Sequence, residues 1–268
     1  MLETLALDTA LKKKDYKKRI KPLDTHLGEV QRELKTKGIP VLIVFEGWDT
    51  SGKGTAIGRL VQAFDPRGFD VYHVNPVSEQ ELYFPPMHRF WLRLPARGEI
   101  AVFNHSWYRQ VLDEAVDKRL AQPELASAYE RMRVFERQLT DDGAVIIKFF
   151  LHISKEEQAK RFKDLAKDPA FSWKVGDAER QRHNQYDLYV EYIEAMLRET
   201  SMPHAPWTVL PSTDKHYLTV KVAETVLDAL NRALSPAKKV SLQIPATETS
   251  QQTSPLEAAD LSLSVDKA

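Results

Sequence analysis

One stretch constrains this chain more than any other: Val41-Leu42-Ile43-Val44-Phe45-Glu46-Gly47-Trp48-Asp49-Thr50-Ser51-Gly52-Lys53-Gly54-Thr55. Its apolar, β-branched start reads as a buried parallel strand. From Lys53 onward Ile57, Leu60, Val61 and Phe64 fall on one helical face. Between strand and helix stands Gly-x-x-x-x-Gly-Lys. Glycines there let successive backbone N–H groups turn inward around an anion, the helix N-terminus adds partial positive charge, and Lys53 adds a full one. The stretch therefore predicts a phosphate-cradling loop formed by Gly47, Gly52, Lys53, Gly54 and Thr55. Gly54 stands where such loops usually carry a metal-binding hydroxyl, so Asp49 is the expected replacement ligand for Mg²⁺, a cation that prefers hard oxygens.

The remaining chain repeats the strand–helix alternation. Strands are expected at 71–74, 100–103, 144–151 and 206–211, with helices at 88–94, 107–120, 123–140 and 216–234. That order implies a parallel sheet covered on both faces. Upstream, Tyr16, Ile20, Leu23, Leu27, Val30 and Leu34 recur at spacings of four and three, which predicts a lysine-rich helix over 9–37, started or kinked at Pro22. The expected division is an N-terminal helical extension over 1–37, a main domain over 38–234, and a tail over 235–268. The tail is rich in Ser, Thr, Pro, Gln and Ala and is expected to be disordered.

Ligands of open parallel sheets bind beyond the carboxyl ends of the strands. Asn104 ends the third strand and is expected beside Asp49 as a second metal ligand; a turn or cap residue is the plainer reading. Residues 154–200 read as a basic lid of two short helices carrying Lys155, Lys160, Arg161, Lys163, Lys167, Lys174, Arg180 and Arg182 around Trp173. Interleaved acids allow a solvated face instead. Arg89, Arg93, Arg97, Arg109, Arg133 and Arg137 form a second basic group, individually explicable as salt bridges with nearby acids.

Lys plus Arg and Asp plus Glu both number 38, so no global charge excess argues for nucleic acid. Without cysteine, thiol catalysis and zinc–cysteine sites are excluded. No apolar run approaches a membrane span and no secretory pattern opens the sequence, which makes cytoplasm the expected compartment.

Several segments resemble polyphosphate kinase family 2: residues 38–54, Asp65–Phe69, Arg89–Ile100, Ser106-Trp107-Tyr108, Phe135–Leu139, Lys148–Lys155 and Ala205-Pro206-Trp207. The resemblance spans roughly 10–234. It implies an α/β, three-layer P-loop kinase fold like thymidylate kinase, with a helical lid. It also implies reversible, Mg²⁺-dependent phosphoryl transfer (Mn²⁺ as a substitute) between inorganic polyphosphate and a nucleoside mono-, di- or triphosphate, in a dimer or tetramer. Carried over, Asp49, Lys53, Asn104 and Arg133 are the expected catalytic residues, and Arg93 and Lys174 join the loop in binding phosphate. Arg109 lies on the nucleotide side, where it favours a diphosphate acceptor or simply pairs with Asp113 or Glu114. The sequence departs from the family at His105, where an arginine is usual, at Arg109, and at Ala170-Phe171-Ser172, where basic residues are usual. An ATP-dependent nucleotide or metabolite kinase, and a non-catalytic polyphosphate- or nucleotide-binding protein, are the alternatives.

Overall fold

The computed structural model describes residues 2–235; the expected disorder of the tail concerns residues that lie outside the described ones from 236 onward. Five strands form one parallel sheet: β1 (Val41–Gly47), β2 (Phe69–His73), β3 (Ile100–Asn104), β4 (Val145–His152) and β5 (Trp207–Pro211), in the order β2-β3-β1-β4-β5. The strand of the loop is central because it is apolar on both faces. Its Val41, Ile43 and Phe45 join one core cluster, while Leu42 and Val44 join the other. β2 lies at an edge and is half exposed, which suits its mixed sequence.

Three helices cover one face: α1 (Lys13–Lys37), α2 (Lys53–Leu60) and the last described helix. The opposite face carries α3 (His88–Trp91), α4 (Trp107–Val116), α5 (Gln122–Asp141) and, beyond α6 (Lys155–Lys167) and α7 (Asp177–Asn184), α8 (Tyr186–Thr200). The closing helix, α9 (Lys215–Leu234), packs back between α1 and α2. The result is a three-layer α/β sandwich. No helix among the described residues is long and apolar enough to cross a membrane.

Three expectations need correction. α1 starts at Lys13, so Pro22 lies inside the helix and does not start it, and Ile20, Leu27, Val30 and Leu34 are buried along its length. The helix expected over 88–94 closes at Trp91, ahead of Pro95. The charged segment 154–200 holds three helices, of which α8 is core: Tyr186, Tyr189, Ile193, Met196 and Leu197 are buried at helical spacing.

Candidate functional site

β1 delivers the loop to the carboxyl edge of the sheet, and backbone geometry explains its glycines unequally. Gly52 (φ 96°) and Thr50 (φ 62°) adopt left-handed conformations that turn the loop before α2. Gly47 answers to packing as well as to phosphate: a Cβ there would stand 2.4 Å from the Leu151 carbonyl oxygen of β4. A Cβ on Gly54 would meet nothing within 4 Å, and Gly54 and Thr55 are exposed in the first turn of α2. That open space is where a phosphate would meet the helix N-terminus.

Lys53 is nearly buried and folds back, its Nζ donating to the carbonyls of Gly47 and Trp48, each at 2.8 Å. Burial pushes its pKa down to about 8, against the pull of Asp49 and with a further push from Arg109. Asp49 faces two arginines: Arg182 Nε donates to its Oδ2 at 2.6 Å, and Arg109 Nη1 lies 3.9 Å from its Oδ1. Burial would raise the Asp49 carboxyl, but Arg109, Arg182 and Lys53 outweigh it and hold the group below its ordinary value. The pair at the loop is thus a charged carboxylate beside a lysine that is mostly protonated near neutrality.

Behind them lies a layer the sequence reading missed. Glu46, the last side chain of β1 before Gly47, is buried and accepts from Ser106 Oγ at 2.7 Å and from His105 Nδ1 at 3.0 Å. Burial acts to raise the Glu46 carboxyl, yet His105, Ser106 and Arg109 hold it below its usual range. His105 sits at φ 63°, and burial together with Lys53 and Arg109 lowers its pKa to about 4, so its ring is neutral. A neutral ring that donates from Nδ1 presents an Nε2 lone pair, 3.3 Å from Arg109 Nη1. Arg109 Nε also donates to Asp113 at 2.8 Å, and the Tyr189 hydroxyl holds the other oxygen of Asp113 at the same distance. Arg109 therefore forms the expected i+4 pair and is still turned toward Asp49. Glu46, Asp49, Arg109, Asp113, Arg182 and Tyr189 line one cleft.

The loop is fastened from α6 and α8. Arg161 Nη1 donates to Thr50 O at 2.8 Å, and Gln158 Nε2 to Asp49 O at 3.2 Å. Trp48 stacks on Tyr186 at 3.9 Å and donates to His152 Nδ1 at 2.9 Å. Yet Thr50 Oγ1, Ser51 Oγ and Asn104 Oδ1 are buried without a hydrogen-bond partner. Buried polar atoms are nearly always paired, so two such atoms on the loop and one at the neighbouring strand end are free to meet a ligand. Asn104 Oδ1 and the Asp49 carboxylate are hard oxygen donors of the kind Mg²⁺ takes. With no cluster of three His, Asp or Glu among the described residues, such an ion would rely on phosphate oxygens and water for the rest of its shell.

Asp49, Lys53, Gly47, Gly52 and Arg109 come together as expected, with Asn104 at the neighbouring strand end. Of the expected residues Gly47, Asp49 and Arg109 line the cleft itself, Gly52, Lys53, Gly54, Thr55 and Asn104 lie beside it on the loop, α2 and the end of β3, and three others are engaged elsewhere. Arg133 pairs with Glu130 and donates to the Glu199 carbonyl at the end of α8. Arg93 lies over the Tyr72 ring. Lys174 lies over Phe171 and Trp173 on an exposed turn. Arg89, Arg97 and Arg137 pair with Glu81, Asp142 and Asp141. Arg182 was legible only as one of several lid cations, because its partner Asp49 is 133 residues away. Glu46 did carry a signal: an acid closing a buried strand needs partners.

Residues 10–238 match the family described as Polyphosphate kinase 2 (PPK2). The chain is 34% identical over 271 residues to a polyphosphate:AMP phosphotransferase of Pseudomonas aeruginosa, covering 100% of this chain and 55% of that protein. An AMP/ADP-polyphosphate phosphotransferase of Meiothermus ruber is 34% identical over 233 residues, covering 86% of this chain and 84% of that one. The solved structure of a polyphosphate kinase 2 from Arthrobacter aurescens superposes with a TM-score of 0.83 at 29% identity, over 87% of this chain and 85% of that chain. The chain spans about half the length of the first curated relatives it matches.

Proposed function

The chain belongs to polyphosphate kinase family 2, and from that premise we propose that it transfers a phosphoryl group between inorganic polyphosphate and a nucleotide. In the forward direction an oxygen of the nucleotide's terminal phosphate attacks the end phosphorus of the chain. The bridging P–O bond breaks, leaving polyphosphate one unit shorter and the nucleotide one phosphate longer. The observation that carries this reading is Asp49 and Lys53, both charged, on a phosphate loop whose neighbouring polar atoms are unpaired.

Each residue has work in such a transfer. Loop N–H groups, the α2 N-terminus and Lys53 stabilise the charge on the moving phosphoryl. Lys53 would exchange its two carbonyl partners for phosphate oxygens, which raises its pKa from about 8 and secures its charge. Asp49 and Asn104 would hold a divalent ion, Mg²⁺ by their donor type, which when bound neutralises charge shared by the two phosphates. Arg109, fixed by Asp113 and His105, faces the acceptor and favours the higher charge of a diphosphate. α6 and α7 cover the loop and exclude water. The exposed apolar side chains Leu82, Tyr83, Trp91, Leu92 and Val134 support assembly into a dimer or tetramer that shields them. The proposed compartment is the cytoplasm.

The test is incubation of the purified chain with polyphosphate, Mg²⁺ and, separately, AMP, ADP, GMP and GDP, with products identified and ATP run as an alternative donor. Phosphorylated nucleotide formed from polyphosphate, faster for the diphosphates, is expected. Transfer from ATP alone would replace the proposal by an ordinary nucleotide kinase, and binding without transfer by a pure binder.

A further inference from the structure

The phosphate loop accounts for the near end of a polyanion; another feature remains unused. Between Lys12 and Lys21 the sequence holds seven cations and a single acid, in a chain whose charges otherwise balance. Lys13, Lys14, Lys17, Lys18 and Lys21 are all exposed. At 100° per residue Lys14, Lys17, Lys18 and Lys21 share one face of α1, beside the face that buries Ile20, Leu27 and Leu34, and Lys13 stands at the boundary between the two. They form a stripe about 12 Å long at the helical rise.

None of these five lysines has a carboxylate partner among the described residues. Of the nearby acids, Glu224 pairs with Arg19 and Lys221, Asp24 with Arg59, and Asp214 caps α9, which leaves Asp15 as the one carboxylate against the seven cations of this stretch. Like charges crowded at i+3 and i+4 destabilise a helix. A stripe of uncompensated cations is therefore a cost that an anion would relieve.

Its position ties it to the loop. Leu11 N donates to Asp214 Oδ1, and the carbonyls of Ser212 and Thr213, next in the chain, accept from Arg161. Arg161 in turn holds the Thr50 carbonyl of the phosphate loop. On the next turn the Tyr16 hydroxyl accepts from Arg59 of α2. The stripe thus begins beside the mouth of the loop and leads away from it.

We infer that this lysine stripe is a binding track for the distal part of a long inorganic polyphosphate chain whose near end occupies the phosphate loop. The inference rests on the proposed donor and extends it to chain length. A nucleic acid fits less well, because single strands bind by stacking bases on aromatic side chains. The one aromatic in this stretch, Tyr16, is packed against His216 instead.

The test replaces the five lysines together in the full chain (Lys13→Gln, Lys14→Gln, Lys17→Gln, Lys18→Gln, Lys21→Gln), since Gln keeps helix propensity and removes charge. Equilibrium binding of long-chain polyphosphate and of tripolyphosphate is measured without nucleotide at two salt concentrations. Affinity for the long chain should fall roughly tenfold or more and lose much of its salt dependence, while tripolyphosphate binding stays as it was. Unchanged long-chain affinity overturns the track, as does an equal loss for both lengths. So does a single-stranded oligonucleotide of matching charge that binds as tightly through the same lysines. Lysine-dependent binding of the long chain without transfer would leave the track standing and remove the proposed reaction; transfer with lysine-independent binding would do the reverse.

Discussion

Two groups of buried charge flank the same sheet, and they are built on opposite terms. In the core, Lys148 and Glu136 are fully buried and pair at 2.7 Å. Lys148 Nζ also donates to the Tyr108 hydroxyl and the Thr200 carbonyl, and Glu136 accepts from Trp107 and Tyr108. Burial lowers the Lys148 pKa even so, against the pull of Glu136. At the loop, Lys53 leans on two carbonyls and Asp49 is held by an arginine from α7, while three neighbouring polar atoms have no partner. The first group is complete by itself; the second is complete only with something bound. Saturated buried pairs hold a fold together, whereas unsaturated ones mark where binding energy is to be collected.

The comparison breaks most visibly if the core pair is cut. Lys148→Met leaves Glu136 buried without a countercharge and should destabilise by about 3–5 kcal/mol, read as a lower urea midpoint. Adding Glu136→Gln, which keeps an acceptor for Trp107 and Tyr108, should restore at least half of that loss. Failure to recover would mean that the pair is not self-contained.

Lys53→Ala should do the reverse, leaving the unfolding midpoint intact or higher and lowering transfer on the order of 10²–10³. Steady-state rates beside a urea titration decide it.

A third effect concerns pH. The folded pKa of Lys53, about 8, lies below its ordinary 10.5, so its burial penalty is fully present below pH 8 and disappears as pH rises toward 10.5. Lys53→Met should therefore stabilise the ligand-free protein near pH 7 by on the order of 2–3 kcal/mol. That advantage should shrink steadily above pH 8. A constant advantage across pH would contradict the buried charge.

The smallest effect should come from Arg182→Ala. Releasing Asp49 from a partly buried ion pair should tighten divalent-ion binding by roughly three- to fivefold, the scale of such pairs. Calorimetric titration without nucleotide measures it.

The parts of this arrangement differ in how they read from sequence. β1, the loop and α2 were legible because the period changes from a continuous apolar run to a helical stripe across a glycine-bounded turn. Asp49 and Lys53 followed from chemistry that the loop alone requires. Where Arg133, Arg93 and Lys174 point is not legible, because a basic side chain carries no directional signal; in the structure Arg133 meets Glu130, Arg93 lies over Tyr72 and Lys174 over Phe171. The core role of α8 is not legible, because its charges hide the buried stripe of Tyr186, Tyr189, Ile193 and Met196. Arg182, Gln158 and Arg161 reach the loop from more than a hundred residues away, a juxtaposition that only folding creates.

Asp49→Asn tests the central claim most directly, because it removes one charge from the unsaturated group and nothing from the saturated one. Transfer from polyphosphate to ADP and the urea midpoint are measured on the same preparation. The account predicts that transfer falls on the order of 10²–10³ while the midpoint falls only modestly, by the loss of the ion pair with Arg182. A variant that keeps near wild-type turnover, or that loses activity only in proportion to lost stability, would contradict it.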